Sequence, residues 1–268
     1  MKTPLLRFLN QVGLLRPAVR GLERVRSLGA ETAAIGPDGL ALPSPELRVS
    51  VSGTPDPAWF LESGRLAKDD IEAALARAGA PLNSLGALLD FGCGCGRVLR
   101  YWHNLSARTC GSDIYDQAVE WCRRYLPFAE VGVNALEPPL PYADGSFDLV
   151  YAISVLTHLP VHMQLAWRDE LGRVIRPGGH LLLTLHGDSY IARLRPEERR
   201  IYAGGECVVR WADAAGLNLC AAFHPPAFVR ERLADGWELI EHLPRGTLGN
   251  PEQDLVVLRK PAFGLSIM

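Results

Sequence analysis

The chain has 268 residues, 48% of them hydrophobic and 22% charged, which suits one large soluble domain or one domain with a cap. A formal net charge of −2 supplies no overall field for nucleic acid or an anionic membrane, so no nucleic-acid partner is expected. No run approaches the roughly 20 apolar residues of a membrane span, and six cysteines without paired spacing make no disulfide framework, so a thiol-reduced, cytoplasmic setting is the default expectation. Arg7, Asn10 and Gln11 interrupt the leading leucines before a secretory core can form.

Residues 1–57 read as an N-terminal helical cap followed by an extended segment. Helices are expected at 5–11 and 17–27, with Pro17 suited to a first turn and Gly29 to a stop. Residues 36–57, rich in Pro, Gly and Ser, read as a wandering surface segment. Helical order returns at 59–78, where Ile71, Ala74, Leu75 and Ala78 form one apolar stripe.

Strand-like and helix-like runs then alternate. Strands are expected at 87–91, 108–113, 129–133, 147–154 and 180–186, and helices at 97–104, 118–126 and 160–174. Further strands are expected at 237–242 and 254–258. Short connections between alternating elements predict an α/β fold, a mostly parallel sheet covered on both faces. The 49-residue interval 187–235 exceeds what one covering helix needs, so an insertion is expected over the ligand edge of the sheet.

The strongest motif is Asp90-Phe91-Gly92-Cys93-Gly94-Cys95-Gly96-Arg97, an apolar strand ending in an acid and three alternating glycines. Glycine lets backbone turn sharply and approach a ligand, and free amides at the following helix start favour negative charge. The dinucleotide spacing G-x-G-x-x-G is absent, because Arg97 stands where its third glycine would be. The acid suits a cationic ligand group instead. Asp113, 23 residues after Asp90, ends the next strand and suits a pair of ribose hydroxyls. Ile114 could pack on an adenine face, and Asn134 with Ala135 could read its edge. Phe147-Asp148-Leu149-Val150 opens a strand that leads to Ser154-Val155, and Arg176-Pro177-Gly178-Gly179 forms a tight turn.

Taken in order, these motifs resemble the class I S-adenosylmethionine-dependent methyltransferases, over about 59–186 and again at 253–258. The resemblance implies a doubly wound, Rossmann-like sheet of seven strands whose last, hairpin-like pair is antiparallel. It implies S-adenosyl-L-methionine as cofactor, its methionine part on Asp90 and Phe91-Gly92-Cys93-Gly94, its ribose on Asp113. Ile114, Asn134 and Ala135 would flank the adenine, and Ser154 and Val155 would floor the reactive methyl. Asn134 departs from the acid found in many members. Implied too is methyl transfer to O or N of a small molecule, governed by positioning and needing no metal. A catalytically silent binding or scaffold protein on the same fold, and a macromolecule methyltransferase, stand as alternatives.

A general base is needed only where the acceptor must lose a proton. His158, after the fourth strand, and His186, after the fifth, are the candidates, with His224 behind them. Each is weighed against an ordinary structural histidine. Cys93 and Cys95 read as small residues in a crowded loop rather than a metal pair. Lys2, Arg7, Arg16, Arg20, Arg24 and Arg26 face one acid, Glu23, in the first 30 residues. They could touch an anionic membrane surface, or form the solvated basic face of a cap helix. The cap and the 187–235 insertion are expected to close the acceptor site together.

Overall fold

The expected strands pair into one seven-stranded sheet in the computed structural model, which describes residues 8–32, 34–250 and 252–262. The strands are β1 (Ala87–Phe91), β2 (Arg108–Asp113), β3 (Glu130–Val133), β4 (Phe147–Ala152) and β5 (Ile175–Leu185), then β8 (Glu238–Leu243) and β9 (Asp254–Arg259). Their order is β3-β2-β1-β4-β5-β9-β8. The first five run parallel, and β9 lies antiparallel between β5 and β8.

Successive side chains alternate across the pleat. Leu89, Val150, Leu181 and Val256 enter the core on one face with Trp167 and Leu171; Leu88, Leu149, Leu182 and Val257 enter the other with Ile71 and Leu75. Helices α3 (Pro57–Arg77), α4 (Asp116–Tyr125) and α5 (Val161–Val174) cover these faces. The outer motifs brace the sheet edge opposite the strand ends: the Asp148 carboxylate accepts from the Gly86 and Ala87 amides and binds Arg176 at 2.5 Å.

Three expectations are corrected. Residues 36–57 do not wander over the surface, for they contain helix α2 (Pro45–Ser52), which buries Leu47, Arg48 and Val49. Ser44 caps it through the Leu47 amide, and the Arg48 guanidinium is held by the carbonyls of Glu31, Pro43 and Pro55. In place of a helix at 97–104 there is a short 3-10 turn, Leu99–Trp102, whose side chains are nearly all buried, so tertiary packing overrides helical spacing. The turn at Pro177 is a bulge inside the continuous strand β5. The insertion holds its own hairpin, β6 (Val208–Arg210) with β7 (Ala221–Phe223), besides helix α6 (Pro196–Ala203).

The N-terminal helix α1 (Leu15–Ser27) starts two residues before Pro17. Of the helix expected at 5–11, residues 8–11 are helical and 5–7 lie outside the described residues. Leu15 of α1 packs on Ala214 and Cys220, so the cap touches the insertion.

Candidate functional site

The carboxyl ends of β1, β2, β3 and β4 open into one cavity of about 260 Å³. Its floor is the glycine bend. Gly92 and Gly94 have φ of +80° and +52°, and a Cβ on Gly92 would stand 2.3 Å from Val155 Cγ2, so only glycine lets the two loops approach. The bend is fastened from within: the Gly92 and Cys93 amides donate to the Ser112 carbonyl and the Gly94 amide to Asp113 Oδ2. These three amides are therefore not the free donors the motif suggested.

Two carboxylates and one guanidinium line that floor, Asp90 and Arg97 buried and Asp113 half-buried. Burial pushes Asp90 up to about 7, against the Tyr151 hydroxyl bonded to it and the nearby Arg97. The Tyr151 oxygen accepts in turn from Trp102 Nε1 at 2.8 Å. Burial also raises Asp113, opposed by the Tyr115 and Gly94 amides. Arg97 binds Asn250 Oδ1 at 2.9 Å. Desolvated carboxylates of this kind favour a ligand that brings positive charge or hydroxyl donors.

Of the residues singled out in the sequence, Asp90, Phe91, Gly92, Cys93, Gly94, Asp113, Ile114, Asn134, Ser154, Val155 and His158 line the cavity. Ala135 and His186 do not. Ala135 is exposed, and Leu136 stands on the wall in its place. Asn134 has much of its amide spoken for, its oxygen accepting from Ser112 Oγ at 2.6 Å and its nitrogen donating to the Ala135 carbonyl at 2.7 Å.

Ser154 sits in a left-handed conformation, φ 61°, unusual for a residue with a Cβ. Its amide donates to Thr184 Oγ1 at 2.7 Å, and Thr184 donates to Gln253 Oε1 at 2.7 Å. Gln253 Nε2 closes the ring on Ser154 Oγ at 2.8 Å. Thr157 Oγ1 donates to the Ser154 carbonyl at 2.7 Å. The turn after β4 is thus tied to β5 and to the residue before β9.

His158 Nδ1 stands 2.8 Å from the Cys220 carbonyl. A carbonyl only accepts, so Nδ1 carries the hydrogen and Nε2 holds the lone pair. Nε2 has no hydrogen-bond partner among the described residues, and burial holds the imidazole below its ordinary range. His186 Nδ1 binds the Ala222 carbonyl at 3.0 Å, with its ring 4.2 Å from Tyr190 and 5.5 Å from Phe223. His224 is fully buried against Gln164.

The roof comes from distant parts of the chain: Arg16, Val19, Arg20 and Glu23 of α1, Ser50 and Val51 of α2, and Gly216, Leu217 and Asn218 of the insertion. The motifs did not reveal these residues, nor Asn250. Arg97 was legible only as the residue that breaks a dinucleotide pattern.

The family described as "Methyltransferase domain" matches residues 89–183, the stretch from β1 through most of β5. By that match, residues 89–183 are a methyltransferase domain. The malonyl-[acyl-carrier protein] O-methyltransferase of Enterobacter lignolyticus is 28% identical over 149 residues, 53% of this chain and 55% of that protein. The 27-O-demethylrifamycin SV methyltransferase of Amycolatopsis mediterranei is 33% identical over 141 residues, 48% of this chain and 49% of its own. The chain thus spans about half the length of the curated relatives it matches. A solved S-adenosylmethionine-dependent methyltransferase from Mesorhizobium loti shares the fold, with a TM-score of 0.52 at 19% identity, covering 70% of this chain and 97% of that one. The family match ends at Leu183, so the cavity's roof, from α1, α2 and the insertion, lies outside it. Among the described residues no group of His, Cys, Asp and Glu could hold a metal ion, and no helix is long and apolar enough to cross a membrane.

Proposed function

We propose that this protein transfers the methyl group of S-adenosyl-L-methionine to an oxygen or nitrogen of a small-molecule acceptor. One observation carries the reading: buried Asp90 and half-buried Asp113 line a single cavity on either side of the glycine bend, and desolvation raises both. The cofactor's α-amino group and ribose hydroxyls are the donors such carboxylates lack. Asp90 would take the amino group. Each Asp113 oxygen accepts one backbone amide and keeps a lone pair for a ribose hydroxyl. Arg97 is the buried cation for the carboxylate end, and Ile114, Leu136 and Asn134 would enclose the adenine, with Val155 beneath the sulfonium.

When bound, the cofactor supplies a methyl on a positively charged sulfur, a leaving group that departs neutral. The protein's own part is to align the acceptor and exclude water. Neutral His158, its Nε2 lone pair unpartnered at the cavity wall, would take the proton from a hydroxyl acceptor. Helix α1 and the insertion form the cap over the acceptor. Relatives named as O-methyltransferases favour oxygen over nitrogen. Six free cysteines suit a reducing, cytoplasmic setting.

Titration calorimetry with S-adenosylhomocysteine tests the reading. Saturable binding is expected, weakened about tenfold to a hundredfold in Asp90→Ala, as for loss of a charge-assisted hydrogen bond. No binding at about 1 mM ligand, or preferential binding of a dinucleotide, would overturn it.

A further inference from the structure

Charge is segregated along this chain. The first 30 residues carry six basic side chains and one acidic, a net of +5 within a total of −2, so the remaining residues carry −7. A solvated basic face on α1 would be the simplest use of that charge, but the helix is turned otherwise. Its inner side, through Leu15, Val19 and Glu23, packs on the insertion or lines the cavity. Arg20 lies over the Tyr115 ring at 4.7 Å and binds Asp116 at 3.2 Å. Facing away are Ala18, Leu22 and Val25, at the i, i+4, i+7 spacing of a single helix face. Leu14 and Leu28, at the two ends, are exposed as well. The four larger side chains are 52% to 78% exposed, and Phe8, just before them, is 58% exposed. A surface helix of a soluble protein ordinarily turns such a stripe inward. Cations border this one on its two sides: Arg26, exposed, with its guanidinium donating to the Gly53 carbonyl, and Arg24, whose ion pair with Glu46 leaves its side chain 67% exposed.

We propose that the outer face of α1 docks on an anionic lipid surface. From Leu14 to Leu28 the stripe runs about 21 Å at 1.5 Å per residue. It is convex, wholly aliphatic within the helix, and offers none of the Trp, Tyr or pocketed anchors on which protein interfaces concentrate their energy. A lipid surface needs no such complementarity, since binding there scales with buried apolar area and with attraction between basic side chains and anionic headgroups. A second copy of the chain paired about a two-fold axis would instead set two +5 segments together. The inner face of the same helix roofs the cavity, so docking would place the cavity against the headgroup layer. The docking itself does not depend on methyl transfer.

Co-sedimentation of the full chain with vesicles tests this without any acceptor or cofactor. Vesicles of phosphatidylcholine with phosphatidylglycerol are expected to bind the protein, and phosphatidylcholine alone to bind it at least about tenfold less. Binding to the anionic vesicles should fall when salt is raised to about 0.5 M. Leu22→Glu with Val25→Glu should lower the partition at least about tenfold, while S-adenosylhomocysteine affinity and the thermal midpoint stay as in the parent, because neither side chain is packed. Failure to bind anionic vesicles, or equal binding by the double variant, overturns the proposal. A concentration-dependent dimer that the double variant dissolves would assign the face to a second copy, and saturable binding of an acidic acyl carrier protein in place of vesicles would assign it to a protein partner. Either overturns it too.

Discussion

Two histidines at the same edge of the sheet show how little residue type says about role. His158 follows β4 and His186 follows β5, and each points Nδ1 at a carbonyl of the same insertion segment, Cys220 for one and Ala222 for the other. Burial depresses both, His186 to about 4, so both are neutral near pH 7. Their other ring nitrogens meet different worlds. His158 stands on the cavity wall, whereas His186 is packed beside Tyr190 and Phe223. An unbonded lone pair facing a ligand cavity can do chemistry; an imidazole packed among aromatic rings holds a hairpin in place.

The sharpest way to break this comparison is to truncate each ring. With a hydroxyl acceptor that the protein methylates, His158→Ala is expected to lower kcat by roughly 10²–10⁴-fold, the usual worth of a positioned base. Cofactor affinity should change little. His186→Ala should leave kcat nearly intact and lower unfolding stability by about 1–3 kcal/mol through lost packing. Steady-state kinetics and urea denaturation read the two effects separately. Equal losses of kcat would end the distinction between a reacting and a packing histidine.

A smaller effect tests the cavity side alone. Asp90 is pushed up to about 7, and only its ionised form holds a cationic amino group well. Sign follows directly: the empty site is mostly protonated below pH 7, so binding a cationic ligand must release a proton there. Affinity for S-adenosylhomocysteine should therefore be about tenfold weaker at pH 6 than at pH 8, flattening above 7. In Asp90→Asn that slope should vanish. A flat calorimetric profile in the parent protein would mean that Asp90 is ionised throughout, or does not meet the ligand's charge.

The sequence and the structure agree best where local chemistry decides. Strands β1 and β2 fall where alternation and terminal acids place them, and Asp90, Gly92, Gly94 and Asp113 all reach the cavity. Such a bend needs residues that any chain with the same loop would need. Other motif residues are legible yet mean something else: Asp148 and Arg176 brace the sheet rather than the site. The roof was not legible residue by residue. Val51 reaches the glycine bend from a stretch whose prolines and glycines conceal a capped helix, and Leu217 arrives from an insertion with no periodicity of its own. Those contacts are purely tertiary. Gln253, one residue from a recognisable strand, gave no hint that it would bond Ser154, 99 residues away.

That bond carries the smallest expected effect and asks whether the two histidine regions are coupled. Thr184 and Gln253 join the turn that leads to His158 with the strand that leads to His186. Gln253→Met keeps the side chain's length while removing its amide. Ser154 Oγ would retain Thr157, and Thr184 would still accept from the Ser154 amide. The cost should be that of two ordinary neutral hydrogen bonds, about 1–2 kcal/mol of unfolding free energy in urea. Because Ser154 is held with φ at 61°, a conformation that costs energy for any residue with a Cβ, slackening the ring should let the turn relax. Relaxation would move His158, which follows by four residues, and leave His186 bound to Ala222. The variant should accordingly lower kcat with only that small loss of stability, and a unit change in neither would show that the ring holds nothing the site requires.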